Sequence, residues 1–266
     1  MKRAIITLLT DFGARDYYVA SMKGVILSIN PGCSLIDITH QVKPQDVREG
    51  AFILSNVHSS FPRGTIHLCV VDPGVGSPRR PILLKTRDYF FVGPDNGLFS
   101  FAIRGEKVKT AVDLTNPEFF LSRVSTTFHG RDIFAPVAAH LSLGVKPEKF
   151  GNLIDHWEEL DSREPEIKGN NLVGEVLHID AFGNVITNIS EEQALQFSRG
   201  APVIIEAGGK RIRNLKKGYW EGEKGKLMAL LGSAGFLEIS VREGNAQKVL
   251  KIKRGDRIVV IRESTK

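Results

Sequence analysis

Apolar positions come first as short continuous runs and later as short alternating ones, and this change of rhythm divides the chain. Ala4 to Thr10 is an apolar run of strand length, as expected of a strand buried on both faces. Asp16 can cap a helix over Tyr17 to Ile29 that stops near Pro31 and Gly32, and Ser34 to Ile38 forms a second short strand. Pro44 opens another helix, with Val47, Ala51, Phe52 and Leu54 approximating an apolar face, and Gly64 leads into a strand from Thr65 to Val71. This strand-helix-strand-helix-strand order predicts an α/β domain with a largely parallel sheet covered on both faces. Ile82 to Val92 is strand-rich, a short helix is expected after Asn96, and Lys107 to Leu114 is a further strand. Arg131 to Leu143 is expected as a helix, with Pro136 near enough to its start to be tolerated.

From Asp155 to Asn171 the chain is polar, carries Pro165 and Gly169, and has the look of a linker. Beyond it lie short β runs separated by turns: Leu172 to Ile179, Val185 to Ile189, Pro202 to Glu206, Leu227 to Leu231, Phe236 to Val241 and Arg257 to Ile261. That pattern suits a small β-barrel or sandwich. The expected organisation is an N-terminal α/β sandwich domain over 1–160 followed by a smaller C-terminal β-barrel domain over 172–266. There is no internal repeat.

With 42% hydrophobic and 25% charged residues in a chain of 266, the composition is that of a water-soluble globular protein. No apolar stretch reaches the length of about 18 residues that spans a bilayer, so no membrane association is expected. Met1-Lys2-Arg3 runs directly into a strand pattern without a signal peptide's cleavage region, and the expected location is the cytoplasm. Cys33 and Cys69 are far apart and lack metal-ligand spacing, so both are expected as buried apolar residues and no metal site is predicted. The formal charge of +6 raises the question of nucleic acid. The densest basic stretch, Lys210 to Lys217, is short and lacks interleaved aromatics, so it is assigned to solvated surface or a loop.

The candidate chemistry sits at strand ends. Val70-Val71-Asp72-Pro73-Gly74-Val75-Gly76-Ser77-Pro78-Arg79-Arg80 carries a strand into a stiff turn with one carboxylate and a nearby guanidinium, and Leu9-Thr10-Asp11-Phe12-Gly13 ends the first strand the same way. Open α/β sheets bind ligands at such ends, so the two carboxylates can converge on one crevice. Downstream lie Thr127-Phe128-His129-Gly130-Arg131-Asp132 and Asp180-Ala181-Phe182-Gly183-Asn184. Taken in this order, the four segments resemble the S-adenosylmethionine hydroxide adenosyltransferase family, relatives of the fluorinating and chlorinating enzymes. The resemblance runs nearly end to end.

It implies that Asp11 grips the ribose hydroxyls, and that Asp72, Arg79 and His129 orient the attacking water, with Asp72 also touching substrate. By the same resemblance Asp180 pairs with the amino group of the methionine moiety, Phe182 stacks on adenine and Asn184 meets the purine edge. Ser233 and Glu238 in Leu231-Gly232-Ser233-Ala234-Gly235-Phe236-Leu237-Glu238 would contact the amino-acid end, and backbone near Val241 the adenine. Each residue alone also has a plainer role: Asp11 as a turn or cap aspartate, Asp72 and Arg79 as a loop salt bridge, His129 as a structural histidine, and 180–184 as an ordinary turn. Arg80 rivals Arg79, the first of the pair being preferred by the family position.

The implied reaction is hydrolysis of S-adenosylmethionine to adenosine and methionine by water attacking the ribose 5′ carbon. No cofactor is expected, because a sulfonium leaves as a neutral thioether without being protonated. The rivals are halide transfer in the same geometry, and a sensor that binds S-adenosylmethionine or adenosine without turnover. The resemblance further implies a homotrimer whose sites lie between the N-terminal domain of one subunit and the C-terminal domain of its neighbour.

Overall fold

The computed structural model describes residues 3–161 and 163–263. Met1, Lys2 and residues 264–266 of the two expected domains lie outside the described residues. The chain forms two compact units, one up to Asp161 and one after it. Among the described residues no helix is long and apolar enough to cross a membrane.

The first unit contains β1 (Ile5–Thr10), α1 (Tyr18–Ile29), β2 (Ser34–Thr39), α2 (Val47–Val57), β3 (Ile66–Val70), β4 (Pro81–Lys85), β5 (Phe90–Pro94), β6 (Thr110–Leu114), α3 (Ala135–Ser142) and β7 (Gly151–Leu153). They build a mixed α/β sheet in the order β2-β1-β3-β5-β4-β6-β7. The pairs β1/β2, β1/β3 and β3/β5 are parallel, while β4 returns antiparallel on β5 and β6. Burial on both faces explains the apolar runs. Leu8, Leu68 and Val70 face a core shared with Met22 and Ile26 of α1 and Val137, Ala138 and Leu141 of α3. Their neighbours Leu9, Cys69 and Val71 face a second core with Leu54 of α2.

Several local expectations are corrected. Asp16 does not cap α1: the N-cap is Tyr17, with no side-chain cap bond. Helix α2 starts at Val47 rather than Pro44, because the Asp46 carboxylate accepts from the Glu49 N–H and fixes the start there. No helix follows Asn96; its side-chain oxygen takes the Leu98 N–H and the segment stays in turns. A π-helical turn, Gly130–Phe134, precedes α3, so the helix after His129 opens with a wide turn.

The second unit contains β8 (Glu166–Lys168), β9 (Asn171–Ile179), β10 (Val185–Ser190), α4 (Glu191–Ser198), β11 (Val203–Ala207), β12 (Lys210–Arg213), β13 (Leu215–Lys216), β14 (Leu227–Leu231), β15 (Phe236–Val241), α5 (Ala246–Leu250) and β16 (Arg257–Arg262). The path β12-β11-β16-β9-β10-β15-β14-β13 curls so that its two end strands are consecutive in the chain, giving a nearly closed barrel around Val176, Val185, Ile205, Ile239 and Ile258. Strand β8 pairs with β9, so part of the apparent linker is a hairpin too short to show a rhythm. The basic stretch is strand rather than loop, with Lys210 and Arg211 exposed and Arg211 paired to Glu206 on β11. Helix α4 is announced by a capping box, Ser190 with Gln193, rather than by apolar spacing.

Candidate active site

In the first unit the site is set by where the parallel strands end. From β1 the chain leaves toward β2 on one side, and from β3 toward β4 on the other, so β1 and β3 flank a switch point. Thr10 pairs with Val70 in register, which places Asp11 and Asp72 just beyond the same end of adjacent strands.

Asp72 and Arg79 form the centre. Arg79 Nε lies 3.0 Å from Oδ1 and 3.1 Å from Oδ2 of Asp72, and Nη2 also donates to Oδ2. Both side chains are withdrawn from water, at 5% and 9% exposure, so the pair is little screened. Arg79 Nη2 lies 2.8 Å from His129 Nδ1. A guanidinium offers only donors, so Nδ1 accepts and the neutral imidazole carries its proton on Nε2. Burial, and after it the Arg79 charge, push the His129 pKa below its ordinary value, while Asp72 and Asp132 act the other way. Arg79 also lies over the Phe134 ring at 5.4 Å. Its Nη1 is buried without a hydrogen-bond partner among the described residues, a donor that a bound oxygen would satisfy.

Two loops bring these groups together. Gly76 has a φ of 77°, and a Cβ there would lie 2.3 Å from the Thr126 carbonyl oxygen, so the 72–80 turn packs backbone to backbone against the segment carrying His129. That segment is pinned from below: fully buried Asp132 accepts from the Ser125 N–H at 2.8 Å, and Ser125 Oγ accepts from the Phe128 N–H. Arg80 goes elsewhere, to Asp95 and the His156 carbonyl.

Asp11 accepts from the Gln45 N–H at 2.8 Å. Burial lifts its carboxyl above the usual range; the Gln45 N–H opposes this and the nearby Asp72 adds to it. Asn96 is a contributor that turn composition conceals: its amide donates to the Val71 carbonyl at 2.9 Å and braces the residue before Asp72.

In the second unit, Asp180 to Asn184 is the turn between β9 and β10. Asp180 Oδ1 accepts from the N–H groups of Phe182 and Asn184, and Oδ2 from Asn184 Nδ2. The carboxylate thus shapes the turn and fixes the Asn184 amide. Gly183, at φ 84°, leaves no room for a Cβ beside Asn245. Phe182 stands 78% exposed on this turn, while Asn184 is buried. The pairing of Ile186 with Glu238 sets the turn beside the end of β15. Glu238 is buried and accepts from the Tyr219 and Ser240 hydroxyls, each at 2.6 Å. Burial, together with Glu238, pushes the Tyr219 pKa up to about 12. Ser233 is exposed in the turn from β14 to β15, and Val241 packs its side chain into the barrel core while its carbonyl takes the Gly244 N–H. No group of three His, Cys, Asp or Glu residues that could hold a metal occurs among the described residues.

A mixed α/β sheet with a carboxylate-guanidinium-imidazole set at its switch point, followed by a β-barrel, defines a two-unit α/β protein with a polar site at its strand ends. The chain matches the SAM hydroxide adenosyltransferase N-terminal domain over residues 6–151 and the corresponding C-terminal domain over residues 174–259, and it belongs to that family. The (R)-S-adenosyl-L-methionine hydrolase of Thermus thermophilus is 38% identical, aligned over 94% of this chain and 96% of that one. A fluorinase of Nocardia brasiliensis is 29% identical over 96% and 95%. The crystal structure of a conserved protein from Thermotoga maritima superposes with a TM-score of 0.91 at 41% identity, covering 97% of this chain and all of that one.

Proposed function

We propose that the protein hydrolyses S-adenosyl-L-methionine to adenosine and L-methionine. Oxygen of a water bonds to the ribose 5′ carbon, the carbon-sulfur bond breaks with its electron pair going to sulfur, and one proton passes from the water to solvent. The observation that carries this reading is the Asp72-Arg79-His129 set: a buried carboxylate held on both oxygens by one guanidinium, whose Nη2 also reaches a neutral imidazole. Asp72 accepts a hydrogen bond from the attacking water, Arg79 fixes Asp72, and His129 fixes Arg79. Asp11 holds the ribose hydroxyls. Phe182 and Asn184 take the adenine with backbone near Val241, and Asp180, Ser233 and Glu238 take the amino-acid end. The similarity to hydrolases over nearly the whole chain supports the same reading.

The ribose and water groups lie in the first unit and the adenine and methionine groups in the second, which suits a homotrimer with sites shared between subunits. The test is product analysis with S-adenosyl-L-methionine and excess chloride. Adenosine and methionine in equal amounts are expected. Formation of 5′-chloro-5′-deoxyadenosine would make the protein a halide transferase, and binding without turnover would make it a sensor.

A further inference from the structure

Ion pairs from Lys23 of α1 to Asp37 of β2 and on to His40, and a hydrogen bond from His40 onward, lead to the strand end that carries Asp11. Lys23 Nζ lies 2.6 Å from Asp37 Oδ2, and the other oxygen of Asp37 lies 3.1 Å from His40 Nε2. His40 Nδ1 lies 2.9 Å from the hydroxyl of Thr10, the residue before Asp11. His40 Nε2 is not aligned for a hydrogen bond to that oxygen, but a negative charge so near favours the imidazole proton on Nε2 and leaves Nδ1 to accept from the Thr10 hydroxyl. That hydroxyl in turn accepts from the Phe12 N–H, and the His40 carbonyl accepts from the Gly13 N–H at 2.7 Å. Thr10 is fully buried, so no water competes for these bonds. His40 therefore grips the turn on both sides of Asp11, while Gln45 on the same segment donates to the Asp11 carboxylate.

We infer that His40, lying against Asp37, is a positioning residue that acts through Thr10 and the 10–13 turn to set the Asp11 carboxylate for the ribose of the substrate. This rests on the reading of Asp11 as the ribose-holding group. The arrangement has the Asp-His-hydroxyl order of an activated nucleophile, yet burial of Thr10 keeps its oxygen from any substrate, so the chain holds a loop and attacks nothing.

The experiment measures kcat and KM for S-adenosyl-L-methionine and the Kd for adenosine by calorimetry, in wild type and in Asp11→Ala, His40→Ala, His40→Asn, Thr10→Val and the double variant Asp11→Ala/His40→Ala. Losing one buried hydrogen bond to the turn should raise KM and the adenosine Kd about tenfold in His40→Ala and in Thr10→Val, with kcat within about threefold. His40→Asn puts an amide oxygen near the place of Nδ1 and should recover most of the lost affinity. The double variant should bind no worse than Asp11→Ala, because His40 has nothing left to position. Wild-type KM and Kd in either His40→Ala or Thr10→Val, or additive losses in the double variant, would overturn the inference. Thr10→Val preserves shape in the strand and carries the test if His40→Ala does not fold. Undiminished adenosine binding in Asp11→Ala would instead overturn the ribose assignment.

Discussion

Arg79→Lys keeps the positive charge beside Asp72 and removes the fork. The arginine places Nε and Nη2 on the carboxylate and the same Nη2 on His129. A lysine ammonium at the end of a flexible stem retains at most one of these contacts. Two charge-assisted bonds are then lost in a site with little solvent to replace them, and at about 1.5 kcal/mol each the loss is about 3 kcal/mol, or roughly a hundredfold in rate. Initial rates of adenosine release at saturating S-adenosyl-L-methionine read kcat. Calorimetric titration with adenosine and the melting temperature separate the catalytic loss from loss of binding or fold. The expected result is a kcat lowered about a hundredfold with the adenosine Kd within about threefold, as for an interaction made mainly in the transition state. A kcat within a few-fold of wild type would refute the reasoning, since charge alone would then suffice and the fork would be a loop salt bridge.

Three further outcomes follow from the same geometry. His129 accepts from Arg79 only when neutral, and its pKa lies below the ordinary histidine value, so kcat should hold steady through pH 6.5 and fall only at more acid pH; this limb should disappear in His129→Asn, and its persistence would detach it from His129. Gly76→Ala forces a Cβ toward the Thr126 carbonyl and should lower kcat roughly tenfold or more by separating the two loops, with far-ultraviolet circular dichroism unchanged; wild-type kcat would show that the loops do not set the site. Buried His67, bonded to Thr7, has its pKa pushed down from 6.5 to about 3 by burial and by His58. Below pH 6.5 the unfolded chain takes up this proton and the folded chain does not, so stability intact above pH 6.5 falls by roughly 1.4 kcal/mol per unit as pH drops toward 3. Urea unfolding at pH 7 and pH 5 should show an acid loss about 2 kcal/mol larger in wild type than in His67→Phe, and equal losses would refute it.

The parallel half of the first sheet was legible because strands covered on two faces leave unbroken apolar runs, as in β1 and β3. The acidic residues beyond them were legible as a pair because the parallel neighbours β1 and β3 end on the same side of the sheet. What the sequence concealed depends on contacts made at a distance. Nothing local shows that Asn96 braces the Val71 carbonyl, that Asp132 holds Ser125, or that His40 bonds the Thr10 hydroxyl. Helix starts were misplaced where capping decides them: the Asp46 carboxylate sets the start of α2 at Val47, past Pro44, and no side chain caps α1. In the turn from Asp180 to Asn184 the plain reading holds, and the bonds that make the turn also hold the Asn184 amide still.

In the proposed reaction water, and no group of the protein, attacks the ribose carbon. The most direct test is a single turnover in H2(18)O with enzyme in excess over S-adenosyl-L-methionine, followed by mass analysis of adenosine, methionine and protein. The first adenosine formed is expected to carry the heavy oxygen at its 5′ hydroxyl while methionine carries none. Unlabelled adenosine, with the label found in the protein, would mean that a carboxylate such as Asp72 attacked first and was hydrolysed afterwards, and would contradict attack by water.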